Sequence, residues 1–403
     1  MGITIQSLLQ THFKSLASSR RLSKDMWNAA VRLRDCRTAA MGIHIKRCPD
    51  GHVSSIAYNS CRHRCCQICN GLERERWLHR WKARLLPCPH HHVVFTIPHE
   101  LLDLWRYNKA AVANILFAAA SQTLRELLAD PKYCGARVGL LAALHTWSQT
   151  LAAHVHLHVL VTAGGLSANE RWQPAVKNCL LPRKVLMIVF RGKFRALVLE
   201  ALQQDKLQLP PPTSVNYWIG EMNRLGRVPW NVKIFDRYEH GRGVVRYLAR
   251  YLRGGPIGNH RLLEVKDGEV HFRYRVPSNP AADRTRQAVM CLGVLEFLRR
   301  FLEHIPPRTL QTVRGYGLYS GNQHSHLPDA FVALGSARPH LASGKLSVQG
   351  LLEQLGIDTS ANRCPVCGKE LIVVEPYRRP YWTSARSPPS ESPILSRLAG
   401  TPA

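Results

Sequence analysis

The segment His154–Val159 alternates strictly between histidine and aliphatic residues, and this pattern restricts the fold more than any other in the chain. Successive side chains of a β-strand point to opposite faces, so Val155, Leu157 and Val159 share an apolar face while the three histidines share the other. The pattern therefore predicts a strand in a sheet that is buried on one side and lined by imidazoles on the other.

Two imidazoles two residues apart on a strand can bind one divalent ion and leave coordination positions open for a phosphate oxygen. The alternative is a half-buried strand whose histidines are hydrated or hydrogen-bonded, and the register of three histidines favours the metal site. A further ligand has to come from another element. Gln149 and His145 are candidates near the end of a helix predicted over residues 139–150, although a glutamine near a helix end is also typical of a surface.

Six of the twelve cysteines lie between Cys36 and Cys69. In a cytosolic chain of this size such cysteines indicate metal ligands rather than disulfides. The CxxC spacing of residues 66–69 predicts a closed four-ligand zinc site, with buried reduced cysteines as the alternative. The predicted zinc ligands are Cys48, His52, Cys66 and Cys69, with Cys61 as the substitute.

A second CxxC spacing occurs at Cys364 and Cys367, with no other cysteine pair near it in the sequence. It is either half of a zinc site that distant residues complete or a turn without metal.

The charge of the chain favours a polyanionic partner. Lys+Arg number 55 against 27 Asp+Glu, a net charge of +28, and the basic residues extend from Arg20 to Arg397. This distribution favours nucleic acid over a membrane surface or a charge that only maintains solubility. No stretch approaches the roughly 20 apolar residues of a membrane span, and the first ten residues lack the pattern of an export signal, so a cytosolic protein is expected.

Residues 244–253 are predicted to form an amphipathic helix that stops at the Gly-Gly-Pro of residues 254–256. Tyr247 and Tyr251 lie one turn apart on it, so either phenol could reach the same phosphate. A phenol that attacks a phosphodiester forms a phosphotyrosine, which conserves the bond energy for rejoining. The arginines on another stripe are candidates for contact with DNA: Arg246, Arg250 and Arg253. Core packing alone also explains an aromatic stripe, and it is the combination with the histidine strand that favours nucleophiles.

The remaining patterns predict four segments. Residues 1–86 form a helical and zinc-binding module, residues 87–320 a catalytic domain, residues 321–376 a region with the CxxC knuckle, and residues 377–403 a basic disordered tail. Within them we expect helices over residues 72–86, 109–128 and 287–304, a strand over residues 90–97, and a hairpin that turns at residues 266–268.

Several motifs occur in the same order in one known family. They are Tyr58–Arg62, Phe95–Leu101, His145–Leu151, His156–Val161, Gly164–Leu166, Tyr247–Tyr251, Gly254–Ile257 and Phe297–Phe301. Over roughly Arg34 to Tyr319 the chain resembles the rolling-circle insertion-sequence transposases with paired tyrosines, the IS ninety-one group of HUH endonucleases.

The resemblance implies an α+β fold, in which an HUH endonuclease-like antiparallel sheet is flanked by helices and preceded by an N-terminal zinc-binding module. It assigns a catalytic Mg²⁺ or Mn²⁺ to His156 and His158, with His154 beside them, and the nucleophiles to Tyr247 and Tyr251. The family frequently has a cysteine where Gly51 stands and a histidine where Cys65 stands. The zinc ligand set therefore stays open.

The implied activity is the cleavage and rejoining of single-stranded DNA at insertion-sequence ends through a 5′-phosphotyrosine. The implied partners are transposon ends, target DNA and the host replication machinery, in the bacterial cytoplasm at the nucleoid. A replication initiator or relaxase would share the histidine pair and a tyrosine, but the breadth of the resemblance argues against it. A non-catalytic zinc-containing DNA-binding protein explains the charge and the cysteines but not the paired tyrosines. A carboxylate-triad transposase is disfavoured because acidic residues are scarce.

Overall fold

A computed structural model describes residues 2–176, 180–239, 241–243, 245, 255–276, 286–321, 326–337, 348–356, 358 and 360–376. The chain divides into two compact units: unit 1 contains Met1–Cys36 and Cys61–Asp358, and unit 2 contains Arg37–Ser60 and Thr359–Ala403. This division follows spatial contacts rather than chain order and cuts across the four predicted segments, whose boundaries stay a prediction.

The helices confirm the expectations for the N-terminal region and for residues 72–86 and 109–128. In chain order, the helices described are α1 (Ile5–Ser19), α2 (Lys24–Asp35), α3 (Gly71–Arg84), α4 (Leu102–Tyr107), α5 (Lys109–Ala129), α6 (Arg183–Gln203), α7 (Val215–Leu225), α8 (Val294–Glu303), α9 (Leu327–Ala333) and α10 (Val348–Gln354). Side-chain oxygens of Thr4 and Ser23 accept hydrogen bonds from backbone N–H groups at the starts of α1 and α2, which satisfies donors that have no partner within the helix.

The strands form three sheets within the part of the chain that the structure describes. They are β1 (Ile43–Arg47), β2 (Ser54–Tyr58), β3 (His90–Thr96), β4 (Arg137–Trp147), β5 (Ala153–Leu166), β6 (Trp172–Pro174), β7 (Val232–Ile234), β8 (Leu262–Lys266), β9 (Glu269–Arg275), β10 (Gln287–Gly293), β11 (Val313–Gly317) and β12 (Ile372–Pro376). The largest sheet has the order β11-β4-β5-β3-β7, with β6 paired to β5. All its pairs are antiparallel, and the predicted α+β class is confirmed.

The predicted histidine strand is β5, the middle strand of this order. Its odd-numbered residues from Val155 to Val161 are buried in an apolar core with side chains of α5 and α6, such as Phe117 and Phe190. Leu160 belongs to a second core on the other face, together with Leu78 of α3 and Phe331 of α9. The sheet is therefore covered by helices on both faces, and the histidines lie on the α3 and α9 side.

The helix predicted over residues 139–150 is wrong, because residues 139–147 belong to β4 and residues 148–150 to the turn that follows it. Leu140 and Ala142 enter the core with α5 and α6, while Leu141 and Ala143 enter the core on the opposite face. A strand that is buried on both faces has no alternation of polar and apolar residues, so its continuous apolar run looks like a buried helix.

The hairpin predicted at residues 266–268 is confirmed as β8 and β9, and Asp267 and Gly268 both have positive φ angles in its turn. The helix predicted over residues 287–304 is only partly correct. Its first half is strand β10, which pairs with β9, and helix α8 begins at Val294.

Unit 2 contains a three-stranded sheet in the order β12-β1-β2. β1 and β2 form a hairpin around residues 48–53, and β12 pairs with the free edge of β1. Among the described helices of both units, none combines the length and the apolar character needed to cross a membrane.

Candidate metal and catalytic site

Three histidines from two neighbouring strands converge on one face of the large sheet. β5 carries His156 and His158, and His145 of β4 lies directly opposite His156 in the antiparallel register. One nitrogen from each of the three rings lies within 4.8 Å of the other two. The cluster is built by strand register alone, because residues opposite each other in an antiparallel pair present their side chains on the same face.

Hydrogen bonds orient two of the three rings. Nδ1 of His156 lies 2.7 Å from the carbonyl oxygen of His154, and Nδ1 of His158 lies 2.8 Å from Nε2 of His92 on β3. If each Nδ1 carries the proton and donates it to these acceptors, Nε2 is left with its lone pair. Metal-binding histidines in proteins are typically held in this way by a partner on the second ring nitrogen.

Burial keeps these imidazoles neutral near pH 7. Loss of hydration lowers the pKa of His92 and of His156 to about 4. It also lowers the pKa of His145 and His158 well below the ordinary value, and the neighbouring histidines add to the effect. A neutral imidazole is the form that binds a cation. The cluster therefore offers three uncharged nitrogen ligands on one face.

The structure places the two candidates for a further ligand differently. His145 lies in the cluster, whereas Gln149 is exposed in the turn that joins β4 to β5, where its carbonyl oxygen accepts a hydrogen bond from Arg261. The displacement of Gln149 follows from β4 being a strand. His154 is exposed and lies beside His156, with ring centroids 4.8 Å apart.

Sequence reasoning missed the role of His92. It belongs to the run His90–His92 at the start of β3, and its ring also stacks on Phe235 at a centroid distance of 4.8 Å. The available signal in the sequence was this second histidine-rich segment, which is itself predicted to be a strand. Only the antiparallel pairing of β3 with β5 brings His92 next to His158.

The segment that precedes the tyrosines is attached to the histidine face. Val245 is fully buried in the core that contains Leu141, Ala143 and Leu160, and its N–H donates to the carbonyl oxygen of Gly241. The predicted nucleophiles and DNA-contacting arginines lie outside the described residues: Tyr247, Tyr251, Arg246, Arg250 and Arg253. Their roles stay predictions.

The cysteines of the N-terminal region form one cluster in unit 1. Cys36 follows the last residue of α2, and it meets three cysteines of the loop before α3, with sulfur atoms within 4.8 Å of one another: Cys61, Cys66 and Cys69. The sulfur atoms of Cys61 and Cys69 are 3.7 Å apart. Cys65 is not in this cluster, and burial raises its pKa to about 12.

The zinc ligands predicted as one set are divided between the two units. Cys66 and Cys69 combine with Cys36, which sequence reasoning did not select, and with the substitute Cys61. Cys48 and His52 lie in unit 2, on the hairpin that leaves after Cys36 and returns before Cys61, where they cluster with Cys364 and Cys367. The signal for Cys36 was its place as the first of the six N-terminal cysteines.

Comparison with known proteins identifies a zinc-binding region and a transposase region in the chain. A family model described as "Transposase zinc-binding domain" matches residues 8–97, and one described as "Putative transposase" matches residues 139–326. The chain is 34% identical over 350 residues to "Putative transposase y4qJ" of Sinorhizobium fredii, which covers 84% of this chain and 86% of that protein.

A further relative is "Transposase for insertion sequence element IS801" of Pseudomonas savastanoi pv. phaseolicola. It is 29% identical over 350 residues, which cover 84% of this chain and 80% of that protein. No solved structure gives a significant match. The alignments with these relatives extend over most of both chains, and the two family models match a zinc-binding region and a transposase region of this one chain. The chain therefore belongs to the insertion-sequence transposases of the IS ninety-one group.

Proposed function

We propose that this transposase cleaves and rejoins single-stranded DNA at insertion-sequence ends through a 5′-phosphotyrosine, with His145, His156 and His158 as ligands of Mg²⁺ or Mn²⁺. The observation that carries the proposal is the convergence of three neutral imidazoles on one face of the central strand. The donor set fits a divalent ion, because each ring can offer a nitrogen lone pair and two rings have their Nδ1 atoms hydrogen-bonded.

A divalent ion bound there would act as a Lewis acid that polarises a non-bridging oxygen of the scissile phosphate. Three protein ligands leave coordination positions for that oxygen and for water. The protein itself supplies the position of the phosphate, which matters because phosphoryl transfer needs the attacking and leaving oxygens in line.

Tyr247 and Tyr251 are the proposed nucleophiles. Val245 packs in the core on the histidine face, and the two residues of backbone from Val245 to Tyr247 span at most about 7 Å. This tether supports a nucleophile on the same side of the sheet as the histidines. Tyr251 follows one helical turn later in the predicted helix, so a second cut at the same site needs no large movement.

The chemical step conserves the bond that is broken. The phenolic oxygen attacks phosphorus and loses its proton, the bond from phosphorus to the 3′ oxygen breaks, and the departing 3′ oxygen gains a proton. The downstream strand stays on the protein by its 5′ phosphate, and the upstream strand ends in a free 3′ hydroxyl. Such an end is the substrate that host replication enzymes extend, and attack of a 3′ hydroxyl on the phosphotyrosine rejoins the strands.

We also propose that Cys36, Cys61, Cys66 and Cys69 bind the zinc of the N-terminal domain. Four sulfur ligands close a tetrahedral site without leaving a position for substrate, which is typical of structural zinc. The zinc would hold the end of α2 against the loop before α3.

The experiment uses single-stranded oligonucleotides that cover both ends of the element, labelled at one terminus. A 3′ label should appear in a covalent protein adduct, whereas a 5′ label should appear only in a released fragment. The opposite distribution would show a 3′-phosphotyrosine and contradict the proposed polarity.

Variants assign the residues. The double change Tyr247→Phe and Tyr251→Phe should eliminate the adduct, while Tyr238→Phe, at a tyrosine that is 38% exposed, should retain it. The double change His156→Ala and His158→Ala should abolish cleavage and keep most of the DNA binding, because the basic surface supplies the affinity. An adduct that persists in the double Phe variant and maps to another residue would overturn the assignment.

A further inference from the structure

Two tight turns face each other in unit 2. The first joins β1 to β2 and contains Cys48 and His52. The N–H of Cys48 donates to the carbonyl oxygen of Val53, and the N–H of Gly51 donates to the carbonyl oxygen of Cys48. Gly51 has a φ of +79°, a conformation that favours glycine. The turn brings the thiol of Cys48 and the ring of His52 together, with Sγ and Nδ1 3.6 Å apart.

The second turn, before β12, has a similar pair of backbone hydrogen bonds. The N–H of Cys364 donates to the carbonyl oxygen of Lys369, and the N–H of Gly368 donates to the carbonyl oxygen of Cys364. Gly368 has a φ of +70°. This turn brings Cys364 and Cys367 together at CxxC spacing, whereas Cys48 and His52 are four residues apart. The two turns are separated by more than 300 residues of sequence.

The four side chains meet at the distances of a tetrahedral zinc site. Sγ of Cys48 lies 3.5 Å from Sγ of Cys367, and Sγ of Cys364 lies 3.9 Å from Nδ1 of His52. With Zn–S bonds of about 2.3 Å and Zn–N bonds of about 2.0 Å, the edges of such a tetrahedron measure about 3.5–3.8 Å. The four ligand atoms all lie within 4.8 Å of one another.

The described residues of unit 2 form no apolar core that would hold its sheet. Among its described residues, the buried ones are Met41, Gly42, Cys48 and Cys364. Aliphatic side chains of the strands are largely exposed, with Ile56 at 48%, Ile372 at 50% and Val373 at 53%. A unit this small usually requires a metal or a disulfide for stability, and two of its buried side chains are candidate metal ligands.

We propose that Cys48, His52, Cys364 and Cys367 bind a second zinc ion, which holds the C-terminal CxxC turn and β12 on the N-terminal hairpin. This site is distinct from the cluster of Cys36, Cys61, Cys66 and Cys69. The matched zinc-binding domain ends at residue 97 and does not contain Cys364 or Cys367. The zinc closes a loop between two segments that are distant in the sequence, so it stabilises the pairing of β12 with β1.

An ion pair offers a different explanation for the contact between the two turns. Nζ of Lys369 lies 2.8 Å from a carboxylate oxygen of Asp50. Both groups are well exposed, and a pair of this kind contributes little free energy of folding. The experiment therefore separates the ion pair from the metal.

Zinc is measured in the full-length protein, purified under reducing conditions. The wild-type chain should contain two zinc ions, and the double change Cys364→Ser and Cys367→Ser should remove one of them. Cys48→Ser should remove the same ion, whereas Cys66→Ser with Cys69→Ser should remove only the other. The control Lys369→Met, which deletes the ion pair and keeps the ligands, should retain both ions.

A conservative variant guards against a general loss of folding. His52→Cys keeps four ligands and should retain two zinc ions, while His52→Ala should bind the second ion more weakly. Cobalt substitution adds a spectroscopic readout. In the Cys364→Ser and Cys367→Ser variant, the intensity of the thiolate-to-cobalt absorption should fall by the contribution of one site. One zinc in the wild-type chain, unaffected by changes at Cys364 and Cys367, would overturn the proposal, as would loss of the same ion from Cys48→Ser and from the Cys66 and Cys69 variant.

Discussion

The contact between His92 and His158 shows how one hydrogen bond can define the chemistry of a ligand. Imidazole binds a metal through one nitrogen, and the partner of the other nitrogen fixes the tautomer and the ring orientation. His92 is buried, and burial lowers its pKa to about 4, so the ring is neutral near pH 7, and in the tautomer protonated at Nδ1 its Nε2 accepts the hydrogen bond. In that tautomer Nδ1–H of His158 is the donor and its Nε2 carries the lone pair, and the ring lies beside those of His145 and His156, at centroid distances of 4.3 and 4.8 Å.

We expect His92→Phe to weaken metal binding at the histidine cluster by about 10- to 100-fold, because it retains the packing on Phe235 and removes the acceptor. The measurement is the Mn²⁺ dependence of single-strand cleavage. The variant should need more metal for half-maximal rate and recover much of its rate at saturating metal. His92→Gln, whose amide oxygen can accept the same bond, should lie closer to wild type. An unchanged metal dependence of His92→Phe would show that this hydrogen bond does not support the ligand.

At the scale of the elements, periodicity predicted β5 correctly and β4 incorrectly, and the reason is burial. β5 presents histidines on one face, so its alternation is visible in the sequence. β4 is apolar on both faces because helices cover both sides of the sheet, and a run such as Leu140–Leu144 then has no period that separates strand from helix. His145 could be suggested as a ligand from the sequence, but its place opposite His156 depends on β4 being a strand.

Gly317, at the end of β11, forms the turn that leads from the sheet to Tyr319, which is buried in the core on the histidine face. Its φ is +58°, and a Cβ there would collide with the carbonyl oxygen of Val138. Two residues later, the hydroxyl of Tyr319 accepts a hydrogen bond from the N–H of Leu86. The same hydroxyl donates to Nε2 of His90, whose Nδ1–H donates to the carbonyl oxygen of Cys88. The turn at Gly317 therefore positions a buried network beside β3.

Gly317→Ala should lower the free energy of unfolding by about 2 kcal/mol or more, through left-handed backbone strain and a steric clash. Denaturant unfolding measures the change. Gly192→Ala is the matched control, because Gly192 is exposed in α6 with open space around a new Cβ. It should be neutral or stabilise the protein by up to about 1 kcal/mol through helix propensity. Equal stability of Gly317→Ala and wild type would show that the turn has room to relax.

At the scale of the whole molecule, unit 2 is assembled from two segments that lie about 300 residues apart in the sequence, and this could not be predicted from spacing. Cys48 lies 319 residues from Cys367. Ligands that are close in the sequence, such as Cys66 and Cys69, can be identified from their CxxC spacing, whereas a site completed across such a separation depends on the pairing of β12 with β1. The single predicted zinc site therefore combined residues of two clusters.

The net charge of +28 predicts the salt dependence of DNA binding by the whole protein. Each phosphate contact releases condensed counterions, so the logarithm of the binding constant should fall linearly with the logarithm of salt concentration. For single strands the slope is about −0.7 per contact, and ten contacts would give a slope of about −7.

The double variant His156→Ala and His158→Ala should show nearly the wild-type slope although it does not cleave, because the histidines are neutral and the contacts come from lysines and arginines. Fluorescence anisotropy with a labelled single strand across a salt series measures both slopes. A flat response of the wild type would mean that its positive surface does not face the DNA backbone, and a much shallower slope in the histidine variant would mean that the metal site also carries a large share of binding.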